Sequence, residues 1–212
     1  HYGQHKDIDE APRFIECNLG ARSLSIDLKH PTGTKLIREL AGKSDAILQN
    51  FRPRVLDKLG LGDDELRKVN PKLVILKLPG FGTEGPKSSY GTWGFNLTAF
   101  SGITYLWNHP EQDRPIGSQG VYPDHLGFVL GPTMMIAALL NSRRSGKGVT
   151  IDLAQIEGTA AVLGTTYLET SVNGADPKPK GNHYALAAPH GVYRCQGEDR
   201  WCVISVRDDA EW

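Results

Sequence analysis

Apolar positions along this chain alternate between two rhythms. Ser23 to Leu28 (SLSIDL) is alternately polar and apolar, the period-two pattern of a strand with one buried face. After His30-Pro31-Thr32, the residues Leu36, Ile37, Leu40 and Ala41 form one apolar stripe of a short helix. Asp45 to Gln49 (DAILQ) is a brief apolar run of the kind a buried parallel strand carries. Pro53 then predicts a helix through Val55, Leu56 and Leu59 that stops at Gly60. Asp63-Asp64-Glu65 opens another helix, acidic at its positive end, and Asn70-Pro71 closes it. Leu73 to Leu78 (LVILKL) is a third strand.

Pro79 to Tyr90 is dense in glycine and proline and reads as loop. A long helix is predicted over 126–144, a turn at Ser145–Gly148, a fourth strand over 149–153, and a second long helix over 155–172 closed by Asn173-Gly174. Asp176 to Gly181 (DPKPKG) is linker-like. Beyond it, Gly191–Cys195 and Trp201–Val206 flank a turn and predict a β-hairpin. The expected fold class is therefore α/β, an open parallel sheet with flanking helices over residues 1–180. Residues 181–212 would begin a small α+β second domain.

Composition adds exclusions. Lys+Arg 24 against Asp+Glu 24 leaves a formal net charge of zero, without the basic excess that nucleic acid or an anionic membrane surface selects. The longest strictly apolar run, Met134 to Leu140, is well short of the ~20 residues that span a bilayer. Neither nucleic acid nor membrane is therefore an expected partner. No charged-then-apolar leader opens the chain, and its three cysteines have neither zinc nor disulfide spacing, so the expected location is cytoplasmic. His1–Arg13 is polar and aperiodic, and the chain stops at Asp209-Ala210-Glu211-Trp212 where a helix is about to begin. These ends suggest a piece of a longer protein.

Candidate chemistry is concentrated in a few places. Gly80 to Gly85 spells G-F-G-T-E-G after a strand, but Pro86 and a polar loop follow where a dinucleotide fingerprint needs a helix. Asn50-Phe51-Arg52-Pro53-Arg54 follows an apolar strand, where α/β sheets hold ligands; an aromatic beside arginines suits a planar base and phosphates. A helix cap with solvated arginines accounts for the same residues. Asp124 stands where an N-cap belongs, just ahead of the long helix; there it either caps or, held ionised among aromatics, serves as a nucleophile. His109, His125, His183 and His190 lack metal-site spacing, and no G-x-S-x-G elbow is present. Cys195 and Cys202, on the two hairpin arms, are expected to pack.

The order of these pieces resembles the family III CoA-transferases, the superfamily that includes formyl-CoA transferase, carnitine CoA-transferase and α-methylacyl-CoA racemase. The carriers are NLGARSLSIDLK at 18–29, DAILQNFRPRVLDKLG at 45–60, Asn70-Pro71-Lys72-Leu73, GFGTEGP at 80–86, Ser101-Gly102, Pro123-Asp124, SGKGVTIDL at 145–153 and Ala188-Pro189-His190-Gly191-Val192-Tyr193. Each is common alone; their order is not.

The resemblance implies a Rossmann-like domain that binds coenzyme A and an aspartate, matched by Asp124, that attacks an acyl-CoA thioester. It places the CoA contacts on Ile26, Lys29, Asn50, Phe51, Lys58 and Leu59, to which we add Arg52 as a phosphate ligand; Trp93 and Tyr122 stand near the acyl group. Lys58 replaces the family's commoner arginine and gives up its fork geometry. The family's opening strand and Gly/Ala-rich turn are not in this sequence, and Tyr184-Ala185-Leu186-Ala187-Ala188 stands in place of a glycine-rich loop. The implied reaction moves CoA from an acyl-CoA donor to a free carboxylic acid, with no metal or redox cofactor, in an interlocked homodimer or a heteromer. The alternatives are an α-methylacyl-CoA racemase, whose histidine position is here Trp93, and an inactive partner subunit of a two-subunit transferase.

Overall fold

The structure, a computed structural model, describes residues 10–114 and 120–212. Residues 1–9 of the polar N-terminal stretch lie outside the described set. Three parallel strands, β1 (Ala46–Gln49), β2 (Val74–Lys77) and β3 (Thr150–Asp152), pair in that order, with Ala46 opposite Val74 and Ile75 opposite Thr150. Nine helices accompany them among the described residues: α1 (Pro12–Asn18), α2 (Pro31–Gly42), α3 (Val55–Lys58), α4 (Asp63–Val69), α5 (Gly94–Phe100), α6 (Ile103–Leu106), α7 (Tyr122–Ser145), α8 (Gln155–Val162) and α9 (Gly164–Asn173). A separate antiparallel pair, β4 (His190–Arg194) and β5 (Trp201–Ser205), sets Tyr193 opposite Cys202.

The central strand β2 is buried on both faces, as a parallel strand between helical layers must be. Leu73 and Ile75 join Ala41, Leu61 and Leu66 in a core under α2 and α4. On the opposite face lies α7. It presents small residues to the strand: Gly127 faces Leu78, Gly131 comes against Leu76, and the Ser142 hydroxyl donates to Lys72 O at 2.7 Å. The order of those contacts shows that α7 runs antiparallel to β2. Its N-terminus therefore lies at the carboxyl ends of the strands.

Several expectations need correction. Ser23 to Leu28 forms no strand: Leu24 is 63% exposed, and no neighbouring strand among the described residues takes up its backbone donors. Alternation marks a half-buried segment, but a strand exists only through its partner's hydrogen bonds. The helix expected from Pro53 starts at Val55, because Arg54 adopts φ 65° in the left-handed region. The helix expected over 155–172 breaks at Leu163, between α8 and α9. The one expected over 126–144 begins earlier, at Tyr122, with Pro123 in the first turn, so Val121 and not Asp124 is the N-cap. Helices α1, α5 and α6 were not anticipated. At 24 residues, α7 is also long and apolar enough, by length and composition only, to cross a membrane, although its longest strictly apolar run is Met134 to Leu140. Cys195 is exposed rather than packed; a hydrogen bond with Cys202 pushes its thiol upward in pKa.

The turn into β3 supplies a test of this geometry. Gly148 donates to Pro71 O at 2.8 Å, and a Cβ there would fall 2.1 Å from Leu73 O, whereas Gly146 (φ 73°) faces open space. Gly148→Ala is expected to cost more than the ~1–2 kcal/mol of placing Ala in the left-handed conformation at Gly146. Urea unfolding of both variants checks the ranking; equal losses would refute the close approach.

Candidate functional site

Because α7 runs against the strands, Asp124 and the segment following β1 arrive at the same edge of the sheet. Asp124 is exposed in the first turn of α7, where the orphan N–H groups and helix dipole favour negative charge. The first residue of α5, Gly94, packs directly on it: a Cβ built there would stand 2.6 Å from Asp124 Oδ2. Trp93, the residue before, is 82% exposed beside this contact. Two residues before Asp124, the Tyr122 ring meets Trp107 edge-on, centroids 6.0 Å apart. Both expected acyl-side aromatics thus belong to the elements that bracket Asp124.

A cavity of about 520 Å3 continues from Trp107, walled by Ile103, Leu106, Leu163 and Gly181. Asn108 also lines it, and its buried Oδ1 has no hydrogen-bond partner among the described residues. Gly181 of the linker is tied to this loop by its N–H, which donates to Asn108 O at 3.0 Å. Opposite, Tyr167 of α9 donates to Ser101 O at 2.7 Å, and burial lifts its phenol above the usual range, so it remains a donor.

The expected CoA residues fall into two neighbouring groups. Asn50, Phe51 and Arg52 follow β1; Phe51 is 44% exposed, and its N–H donates to Gln49 Oε1 at 2.8 Å. Arg52 spends one guanidinium arm on Ser89 O at 2.7 Å, which leaves its other donors toward solvent. Ile26 and Lys29 lie just ahead of α2, and Lys58 and Leu59 close α3. Ile26 lies under Gly33, Leu59 packs on the core below α2, and Arg38 of α2 donates to Gly60 O at 2.8 Å. Lys29 and Lys58 are both exposed. Beside Arg52 and the end of β2 opens a cavity of about 230 Å3, walled by Gln49, Arg52, Arg54, Asp57, Lys77 and Thr83. Lys77 is held by Asp63 at 2.9 Å, and Thr150 donates to the same carboxylate at 2.8 Å.

Sequence reasoning missed how the glycine-rich loop is held. Asp152, at the end of β3, accepts from Thr83 N–H at 2.8 Å and also from the Thr83 hydroxyl. Phe81 packs edge-on against Tyr90 and Phe100, and Lys87 lies 5.5 Å from each of those two rings. The available signal was the aspartate closing a strand, adjacent in the parallel register to the strand that feeds the loop. It also missed Gly94, whose only signal is a glycine between two aromatics. Among the described residues no three His, Cys, Asp or Glu side chains converge as a metal site.

The family model of CoA-transferase family III matches residues 1–212. This chain belongs to that family. It is 31% identical over 201 residues to the acetyl-CoA:oxalate CoA-transferase of Acetobacter aceti, covering 95% of this chain and 51% of that one. To the succinyl-CoA–L-malate CoA-transferase beta subunit of Chloroflexus aurantiacus it is 30% identical over 189 residues, covering 89% and 46%. Among solved structures, a CAIB/BAIF family protein from Brucella suis superposes with a TM-score of 0.83 at 28% identity, covering 92% of this chain and 50% of that one. The chain thus spans about half the length of these family III relatives.

The anchoring of the loop is testable. Asp152→Ala removes an acceptor whose hydrogen bond, being to a charged group, is worth ~1.5–3 kcal/mol. Exchange of the Thr83 amide with deuterium is expected to speed up at least tenfold while amides of β2 keep their protection. An unchanged Thr83 rate would mean that the loop is held elsewhere.

Proposed function

We propose that this chain carries the CoA-binding and nucleophilic half of an acyl-CoA:carboxylate CoA-transferase. The observation that carries the reading is the setting of Asp124: a carboxylate in the first turn of α7, between Tyr122 and the Trp93–Gly94 step, at the strand edge that also bears Asn50 and Phe51. Its carboxylate oxygen attacks the thioester carbonyl carbon; the C–S bond breaks and CoA leaves as thiolate, giving a mixed anhydride on Asp124. The thiolate then attacks the aspartyl carbonyl, releases the donor acid as carboxylate, and leaves an aspartyl-CoA thioester. An acceptor carboxylate attacks that carbonyl and expels the thiolate again. Return of the thiolate to the acceptor carbonyl forms the new acyl-CoA and restores the Asp124 carboxylate. Water must be kept from the anhydride, and the aromatics Trp93, Tyr122 and Trp107 are the groups at hand to do so.

Phe51 offers an open aromatic face for the adenine, Asn50 a donor and acceptor beside it, and Lys29, Lys58 and Arg52 the charges for the phosphates. This set fits a nucleotide whose reactive arm points toward Asp124. Residues 1–180 would form the CoA-binding unit and residues 181–212 open the smaller domain. A partner subunit is also part of the reading. Phe128, Val129, Ile136 and Leu140 of α7 are each more than half exposed, an apolar face that favours cover by further protein. The relatives include subunits of a succinyl-CoA–L-malate CoA-transferase, which favours a heteromer as the second form.

Two substitutions in the full-length protein test the assignment. Asp124→Asn keeps the shape and forfeits the charge–dipole contribution of ~0.3–1 kcal/mol, so it should fold while losing transfer entirely. Turnover near wild type after deamidation is excluded by mass would refute the nucleophile; α-proton exchange in deuterated water without transfer would point to racemisation instead. Phe51→Ala should weaken CoA binding by ~1–3 kcal/mol in calorimetry, the range for one base–aromatic stack. Unchanged affinity would remove Phe51 from the site.

A further inference from the structure

Gly94 occupies a position where the backbone does not require glycine. It is absent from the residues with positive φ, and as the first residue of α5 it gives up helix propensity to alanine. What requires glycine is space. An ideal Cβ would fall 1.6 Å from Val121 Cγ1, 2.6 Å from Asp124 Oδ2 and 3.0 Å from Asp124 Cγ, far inside the ~3.5–4.0 Å at which carbon atoms attract. Neither side of this contact is free to retreat. On the α5 side, Asn96 Oδ1 accepts from Trp93 N–H at 2.8 Å, the Thr98 hydroxyl donates to Gly94 O at 2.7 Å, and Leu97 and Thr98 are buried. On the α7 side, Pro123 is buried, and Gly127 one turn further on lies against Leu78. The carboxylate therefore stands against the Gly94 backbone, where two anchored helices leave no room for a methyl group.

We propose that Gly94 is a positioning residue for Asp124: its missing side chain sets the place and rotamer in which the carboxylate meets the thioester. The proposal rests on the reading of Asp124 as nucleophile. A methyl group at Gly94 forces the carboxylate off its rotamer or pushes the first turn of α7 away from α5. A misplacement of about 1 Å costs on the order of 100-fold in rate when reacting atoms must align. Substrate binding through the Asn50–Phe51 segment, on a different element, is left alone.

The test separates the Asp124 contact from the Val121 contact. Full-length wild type, Val121→Ala, Gly94→Ala and the Gly94→Ala/Val121→Ala double variant are compared. The readouts are melting temperature, kcat and KM for the acyl-CoA donor, and single-turnover appearance of the Asp124-bound adduct by intact mass. Val121→Ala is expected to turn over like wild type. Gly94→Ala is expected to lose roughly 10- to 100-fold in kcat and adduct rate, with KM within about twofold. The double variant relieves the worse clash, so it should recover the melting temperature while kcat stays low. If Gly94→Ala does not fold, the double variant decides the question by itself. Recovery of kcat together with stability would overturn the proposal, because Gly94 would then serve only to pack Val121. Wild-type kcat and adduct rate in Gly94→Ala would overturn it too. Asp124→Asn, run beside them, keeps the two failures distinct: transfer retained there removes the nucleophile, and with it the ground for any catalytic effect at Gly94.

Discussion

The close approach of α7 to β2 is the constraint on which the rest of this molecule depends. A parallel strand between two helical layers must bury both faces, and Val74 and Leu76 leave no room for large side chains opposite them. The helix answers with Gly127, Gly131, Ala138 and Ser142, its buried positions beyond Pro123. Small residues draw the helix axis toward the sheet, and the direction of packing then carries the first turn to the carboxyl ends of the strands. Asp124 is at the site edge because glycines further along the same helix permit the approach. The fully buried positions of α7 are thus small, while Phe128, Val129, Met134, Ile136 and Leu140 are left exposed, the reverse of an ordinary amphipathic helix.

A second layer of order comes from groups that hold loops and short helices to the sheet end. Asp152 holds Thr83, Arg52 holds Ser89, and Tyr167 holds Ser101. These bonds join three pairs of residues that are far apart in sequence, and each sets a side chain against a backbone group in a loop or helix end. Such anchoring fixes the loop and the helix ends at the carboxyl end of the sheet, since precise placement depends on supports that are themselves fixed. The two cavities at this edge differ in character. The one near Arg52, Arg54 and Lys77 is lined by charge, and the one near Ile103, Leu106 and Trp107 is lined by apolar side chains together with Asn108, His109 and Asn182.

The strands β1, β2 and β3 and their parallel pairing, the helices α2 and α4 and the hairpin β4–β5 were legible in the sequence, because each depends on local periodicity and on turn residues such as Gly60, Asn70-Pro71 and Gly174. Asp124 and the Asn50–Arg52 segment were legible as candidates for the same reason: residue type beside a strand end or a helix start. Local rhythm could not supply what needs a neighbour. Ser23–Leu28 has a strand's alternation without a strand's partner, and Pro53 has a helix starter's chemistry beside an Arg54 that turns the other way. The Asp152–Thr83 anchor and the glycine face of α7 join residues dozens of positions apart, and the Gly94 contact spans two separate helices. Packing between layers decides such contacts, and no window along the chain contains both partners.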